Sequence, residues 1–207
     1  MANVSRVRGF VPVRHLNGSP YNGMAAEMLC IGANESTALF IGDVVVYGGT
    51  AGAAGLTVSG RDCEGMPSVL HSTLTTTGDG IAGVIVGFVQ DQALPLKYNP
   101  ASTNRIVLVC NDPTVIYEVQ EDGVGNNIAA TAIGANIGMN SGAGSTVTGL
   151  SAYSIDSSVT ATTYTYPWRL LGLVKRPDNA FGLSSTDLAK YEVVQNWPAF
   201  GSAVGVN

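Results

Sequence analysis

The chain has 207 residues, 45% of them hydrophobic and only 12% charged, with a formal net charge of -5; an ordinary globular domain carries about 25% charged residues. High apolar content with so little charge argues against disorder, and this length removes roughly 70% of the extended chain's surface from water, as one β-rich domain or two small ones, without covalent staples. The surface is therefore expected to be neutral, rich in Ser, Thr, Asn and Gly, and suited to partial cover by a partner.

The N-terminal stretch holds Arg6, Arg8 and Arg14 and no acid, whereas the rest carries 7 Lys/Arg against 15 Asp/Glu. A basic arm on an acidic body points to an acidic protein surface or to the arm's own neighbours, and the body would repel nucleic acid; solvated terminal arginines are the plainer reading. Met1 to Arg6 lacks an apolar signal core and no run approaches about 18 apolar residues, so no membrane partner and synthesis and assembly in a cytoplasm are expected.

Beyond the arm, short runs of Val, Ile, Leu and aromatics alternate with Gly, Asn, Asp and Ser clusters, the punctuation of a mostly β chain. The clearest predicted strands are Ala38 to Tyr47, Ile81 to Gln90, Ile106 to Cys110, Val115 to Gln120, Trp168 to Val174 and Tyr191 to Trp197. Weaker ones are Ala25 to Ile31, Ser68 to Thr73, Leu150 to Ile155 and Thr160 to Tyr166. In Ile81 to Val89 both alternating sets are apolar or Gly, so neither face meets water freely. In Val115 to Gln120, Glu118 and Gln120 suggest one face turning outward. With the Asn111-Asp112-Pro113 turn before it, Ile106 to Gln120 reads as a hairpin.

Helical evidence is confined to Ala129 to Met139, which Gly134 and Gly138 interrupt, so one or two short turns are the most expected. The Gly-dense stretches Gly48 to Gly60 and Gly123 to Gly149 read as loops, the second long enough to protrude or touch a partner around Asn136 to Gly149, or simply to be flexible.

Chemistry-bearing patterns are sparse. His15 and His71 are the two histidines and neither stands in a recognisable triad. No Cys-x-x-Cys or His-x-x-x-His spacing offers a zinc site, and Cys30, Cys63 and Cys110 are expected as buried free thiols. Glu121-Asp122 with Asn126 and Asn127 is a weak calcium pattern beside the reading as a solvated turn. Lys175-Arg176 reads as a strand-end charge pair. Trp168, Trp197, Tyr164 and Tyr166 could form a sugar platform but equally serve as core anchors. No catalytic, cofactor or metal residue is assigned.

The string Gly9-Phe10-Val11-Pro12-Val13-Arg14-His15-Leu16-Asn17-Gly18-Ser19-Pro20-Tyr21-Asn22-Gly23 resembles the opening of small virion structural proteins of tailed bacteriophages, the head decoration or cement proteins. The likeness continues through Phe40 to Val45, Ile81 to Phe88, Tyr98 to Thr103, Asp112 to Gln120, Arg169 to Val174 and Arg176 to Asn179. The resemblance implies a non-enzymatic protein on the virion's capsid surface that binds the major capsid protein, cements its neighbours, and self-associates as a dimer or trimer. A tail, neck or fibre protein is the alternative, and a carbohydrate-binding β-sandwich a more distant one. The expected fold is a β-barrel or β-sandwich body over residues 24-207, one unit or two small ones, with an extended arm over residues 1-23. The residues expected to meet a partner are Arg6, Arg8, Phe10, Val11, Pro12, Val13, Arg14, His15 and Tyr21. The arm either extends a neighbour's sheet or covers an edge of its own body.

Overall fold

The computed structural model describes residue 3 and residues 5–23, 25–53, 55–58, 60–73, 80–124, 127–162, 166–182 and 188–199. The fold is mostly β, as the punctuation of the chain predicts. In chain order the strands are β1 (Val11–His15), β2 (Ala26–Ile31), β3 (Val44–Ala51), β4 (Thr57–Val58), β5 (Arg61–Asp62), β6 (Pro67–His71), β7 (Ile81–Phe88), β8 (Arg105–Cys110), β9 (Val115–Gln120), β10 (Asn136–Asn140), β11 (Ser154–Ala161), β12 (Trp168–Leu173) and β13 (Lys190–Gln195). Helical structure is slight, with a 3-10 turn at Ala130–Ala132.

Strands β2, β6, β3, β7 and β8 close into a barrel, and β1, β9, β13, β12, β10 and β11 form, in that order, a six-stranded sheet; β4 and β5 make a small separate ribbon. Closure rests on a short parallel contact between β2 and β6, Cys30 to Ser68 and Ile31 to Val69, while β2 and β8 pair antiparallel along their full length. The barrel's interior is filled by Leu29, Ile31, Val45, Val69, Ala82, Ile85, Val107 and Val109. A larger core joins the barrel's outer wall to one face of the sheet, with Val44, Ile81, Val84 and Cys110 on one side and Tyr117, Ile137, Tyr153, Trp168, Leu170, Tyr191 and Val193 on the other.

Strand β7 shows why neither of its faces is polar: it is the wall shared by both cores. Strict alternation would place Ile81 and Ile85 on one face. Instead the ladder to β3 shifts between Val45 and Val46, where Gly83 sits, so Ala82 and Ile85 point into the barrel while Ile81 and Val84 meet the sheet. A bulge re-aims side chains in this way without ending the strand.

Several expectations from the sequence are corrected. Strands β8 and β9 are not a hairpin: the turn at Asp112 exists, with the Asp112 carboxylate accepting the Thr114 N–H and hydroxyl at 2.8 and 2.7 Å, but it carries the chain out of the barrel into the other sheet. The strand predicted from Ala38 starts at Val44, because Gly42 adopts φ +97° and the preceding residues make only isolated bridges, Leu39 to Asn99 and Ile41 to Leu150. The strand predicted at Leu150 starts at Ser154 and runs to Ala161; of the predicted Thr160 to Tyr166 strand, residues 163–165 lie outside the described residues.

The Gly-rich stretch after Gly123 is more than a loop. Its middle forms β10, whose Ile137 and Met139 are buried in the larger core. The segment that follows packs closely on the barrel: a Cβ on Gly144 would lie 2.3 Å from the Phe40 ring. Low side-chain content there permits contact, not freedom.

Candidate functional site: the N-terminal segment and the sheet it crosses

The segment that carries the sequence's distinctive string adds a strand to the protein's own sheet. Strand β1 pairs antiparallel with β9, Val11 opposite Glu118 and His15 opposite Val115, with a register shift between Pro12 and Arg14. Proline lacks a backbone donor and is tolerated on such an edge. The outer side of β1 is then covered by the chain itself, as the His15 N–H donates to Ser19 O at 2.8 Å and the Tyr21 N–H to Val13 O at 3.1 Å. This blunts an edge that would otherwise template pairing with another chain.

Before β1 the segment crosses the start of the barrel at Gly9 and Gly42. Both take positive φ, +68° and +97°, and the Phe10 N–H donates to Gly42 O at 3.0 Å. A Cβ on Gly9 would fall 2.4 Å from that same oxygen and 2.5 Å from Ser151 Cβ. The Gly9→Ala variant is therefore expected to lose about 1–3 kcal/mol in urea unfolding, from left-handed strain and a displaced crossing; a loss below about 0.5 kcal/mol would contradict the close approach.

Phe10 then enters the core, 1% exposed, stacked on Trp168 with ring centroids 4.3 Å apart and planes 19° apart. Val11, Pro12 and Val13 are half-buried. The Tyr21 ring packs against the same core, and its phenol is pushed up from its ordinary value by burial, with the Cys110 thiol adding to the effect.

The arginines of the segment meet acids of the protein's own sheet. Glu118 on β9 and Glu192 on β13 are directly opposed across the ladder, a placement that repels unless countered. Arg8 and Arg176 approach the two oxygens of the buried Glu118 at 3.3 and 2.6 Å, and Arg14 approaches Glu192 at 2.6 Å. Glu118 and Gln120 are thus covered rather than solvated, which corrects the outward face read from β9: Gln120 Oε1 accepts the Arg6 N–H at 2.7 Å. The Arg6 guanidinium makes no ion pair among the described residues. His15 Nδ1 lies 3.2 Å from Asp112 Oδ2. Against partial burial, hydrogen bonds from Thr114 and the nearby His15 hold the Asp112 carboxyl below its usual range.

A second polar group sits between barrel and sheet. The Tyr153 hydroxyl, in a fully buried residue, donates to Ser72 O and lies 2.8 Å from His71 Nε2. With the phenol proton directed at the carbonyl, the ring proton belongs on Nε2. Burial, opposed by Glu35, lowers the His71 pKa and favours the neutral ring. Glu35 accepts the His71 and Thr37 N–H groups, each at 2.7 Å. The arrangement ties three segments together rather than presenting an acid or base to a cleft.

The remaining candidates resolve into structure. Glu121 is fully buried and accepts N–H groups of Ile128 and Ala189 at 3.1 and 2.9 Å, while Asp122 accepts from Ser157 and Asn140. These carboxylates serve as internal acceptors, and Asn126 of the calcium pattern lies outside the described residues. No cluster of three His, Cys, Asp or Glu side chains occurs among the described residues. The three cysteines are buried and unbridged. Trp168 and Trp197 are 0% and 7% exposed, Tyr166 is half-buried, and Tyr164 lies outside the described residues, so neither tryptophan is open for stacking on a sugar. Among the described residues no helix is long and apolar enough to cross a membrane. The sequence reads the arginines as partner-seeking, Glu118 as outward-facing and Arg176 as part of a strand-end charge pair, and does not single out Glu192; these become neighbours only through the strand order, and an acid on an otherwise apolar strand is the available signal. No family model, curated protein or solved structure matches the chain.

Proposed function

We propose that this chain is a non-enzymatic virion structural protein that binds the outside of a phage capsid, contacts the major capsid protein and cements neighbouring subunits. The observation that carries the reading is the Gly9 to Gly23 string with its continuation along most of the chain. The 12% charge content supports it too, because a neutral surface suits repeated contacts within an assembly.

With Phe10 buried and Arg8 and Arg14 paired, what the segment offers a partner is its outer surface: Arg6, Val7 at 40% exposure and Leu16 at 54%. Beside it lies a groove of about 330 Å³ lined by Arg8, Pro12, Tyr21 and Leu150. The test is co-sedimentation with empty capsid shells, using the full chain and Leu16→Asp. Saturable binding at a fixed ratio to the major capsid protein is expected, weakened at least about tenfold by the buried charge introduced at residue 16. No binding to shells, or binding to tails alone, would refute the decoration role; the second result would favour the tail or neck reading.

A further inference from the structure

A pocket of about 270 Å³ opens between the end of β7 and the segment at 94–97. Phe88, Leu94 and Leu96 contribute to its apolar wall, and Gln90, Lys97, Arg105 and Thr148 are its polar members. Arg105 is 3% exposed. Its two terminal nitrogens donate to Tyr98 O and Leu96 O at 2.7 and 2.9 Å, and its guanidinium carbon stands 4.8 Å from the Phe88 ring centroid. These contacts satisfy donors but supply only dipoles, and Nε has no hydrogen-bond partner. Among the described residues no carboxylate lies within ion-pair distance of Arg105 or Lys97. Burial is the main influence lowering the Arg105 pKa; the acid opposing it is Asp91, whose Oδ1 is already engaged by the Ala93 N–H at 2.9 Å.

Burying a cation with no carboxylate in ion-pair contact is expensive. Here it sits behind an apolar pocket with a second, exposed cation at the rim, in a chain whose net charge is negative. We propose that this pocket binds a carboxylate attached to a small apolar body, supplied either as a free acid or as the C-terminal residue of a polypeptide. Lys97 forms the direct ion pair, the field of the desolvated Arg105 strengthens it, and the apolar body covers Phe88, Leu94 and the exposed edge of Leu96. The inference does not rest on the capsid reading and stands or falls separately.

The experiment titrates the full-length protein, followed by backbone amide NMR shifts at low salt, with 3-phenylpropanoate and its amide, and with an acetylated peptide ending in Phe as acid and as amide. Acids are expected to bind about tenfold tighter than the matching amides. Lys97→Met, which keeps the apolar stem and leaves the Arg105 contacts in place, is expected to reduce that preference to less than about threefold without changing the melting curve. The tighter of the two acids identifies the source. Equal affinity for acid and amide, no saturable shift with any of the four, or an undiminished preference in Lys97→Met would each overturn the proposal.

Discussion

Replacing Phe10 by Ala is expected to remove about 3–5 kcal/mol of folding stability, a large share of the 5–15 kcal/mol typical of a domain. The ring is fully buried against Trp168, itself edge-on to Tyr117 at 5.4 Å, so truncation opens a cavity that two large neighbours cannot easily collapse and forfeits the stacking contact. By comparison the ion pairs of the same segment are weak holders. The side chains of Arg8 and Arg14 are 44% and 40% exposed, so each pair is screened and contributes at most about 1 kcal/mol. Phe10→Leu should recover more than half of the loss, and Arg8→Ala or Arg14→Ala should each lose less than about 1 kcal/mol in urea unfolding. If Phe10→Ala loses no more than the arginine variants, the aromatic contact is not what pins the segment. The same reasoning bears on how partner binding is tested: deleting residues 1–20 would remove β1 and its buried ring together, and lost binding would then report lost structure.

How much of this was legible in the sequence depends on what each element's neighbours had to be. The strands with apolar residues on both faces, β7 above all, were readable because burial on two sides leaves a local signature. Strand β10 was not, because Asn136-Ile137-Gly138-Met139-Asn140 has only two core residues and a glycine between them, and its place is set by β11 and β12 on either side. The supposed hairpin failed for a related reason: a turn at Asp112 is encoded locally, but whether it returns the chain to the same sheet is decided by distant strands. At the site, the sequence pointed to an acid-seeking arm, with solvated terminal arginines as the other reading. It left open whose acids, and the directly opposed Glu118 and Glu192 of the sheet answer for Arg8 and Arg14. Loss of strict alternation in β7, through a bulge at Gly83, also lay beyond pattern reading, since a strand and a bulged strand share the same composition.

Folding stability is expected to fall as pH rises from about 4 to 8, with Asp43 as the main source, and Asp43→Asn should remove that part of the slope. Asp43 is 1% exposed, directly after Gly42 where the N-terminal segment crosses. Burial pushes its carboxyl up from 3.8 to about 7; the Ser151 hydroxyl and the Phe40 N–H, the latter 2.7 Å from Oδ2, oppose this only in part, and Oδ1 has no hydrogen-bond partner. Between the unfolded and folded values the folded chain holds the extra proton, so each rise in pH through that window favours unfolding; above about 7 both states are ionised and the full cost is present. The displacement corresponds to at most about 4 kcal/mol. The charged and titratable groups around it set the background: Tyr153, whose own phenol burial raises, and beyond it Glu35 and His71. His71 acts in the opposite sense, since a folded pKa below 6.5 makes stability rise with pH until the unfolded ring is neutral. The quantity to measure is therefore the difference between wild type and Asp43→Asn in urea unfolding at half-unit steps from pH 4 to 8. A difference that grows through pH 5 to 7 and then levels identifies Asp43; parallel profiles would place the ionised carboxylate in a better-solvated setting than its burial implies. Because this carboxylate hydrogen-bonds the backbone beside the Gly9–Gly42 crossing, its ionisation acts where the N-terminal segment joins the barrel.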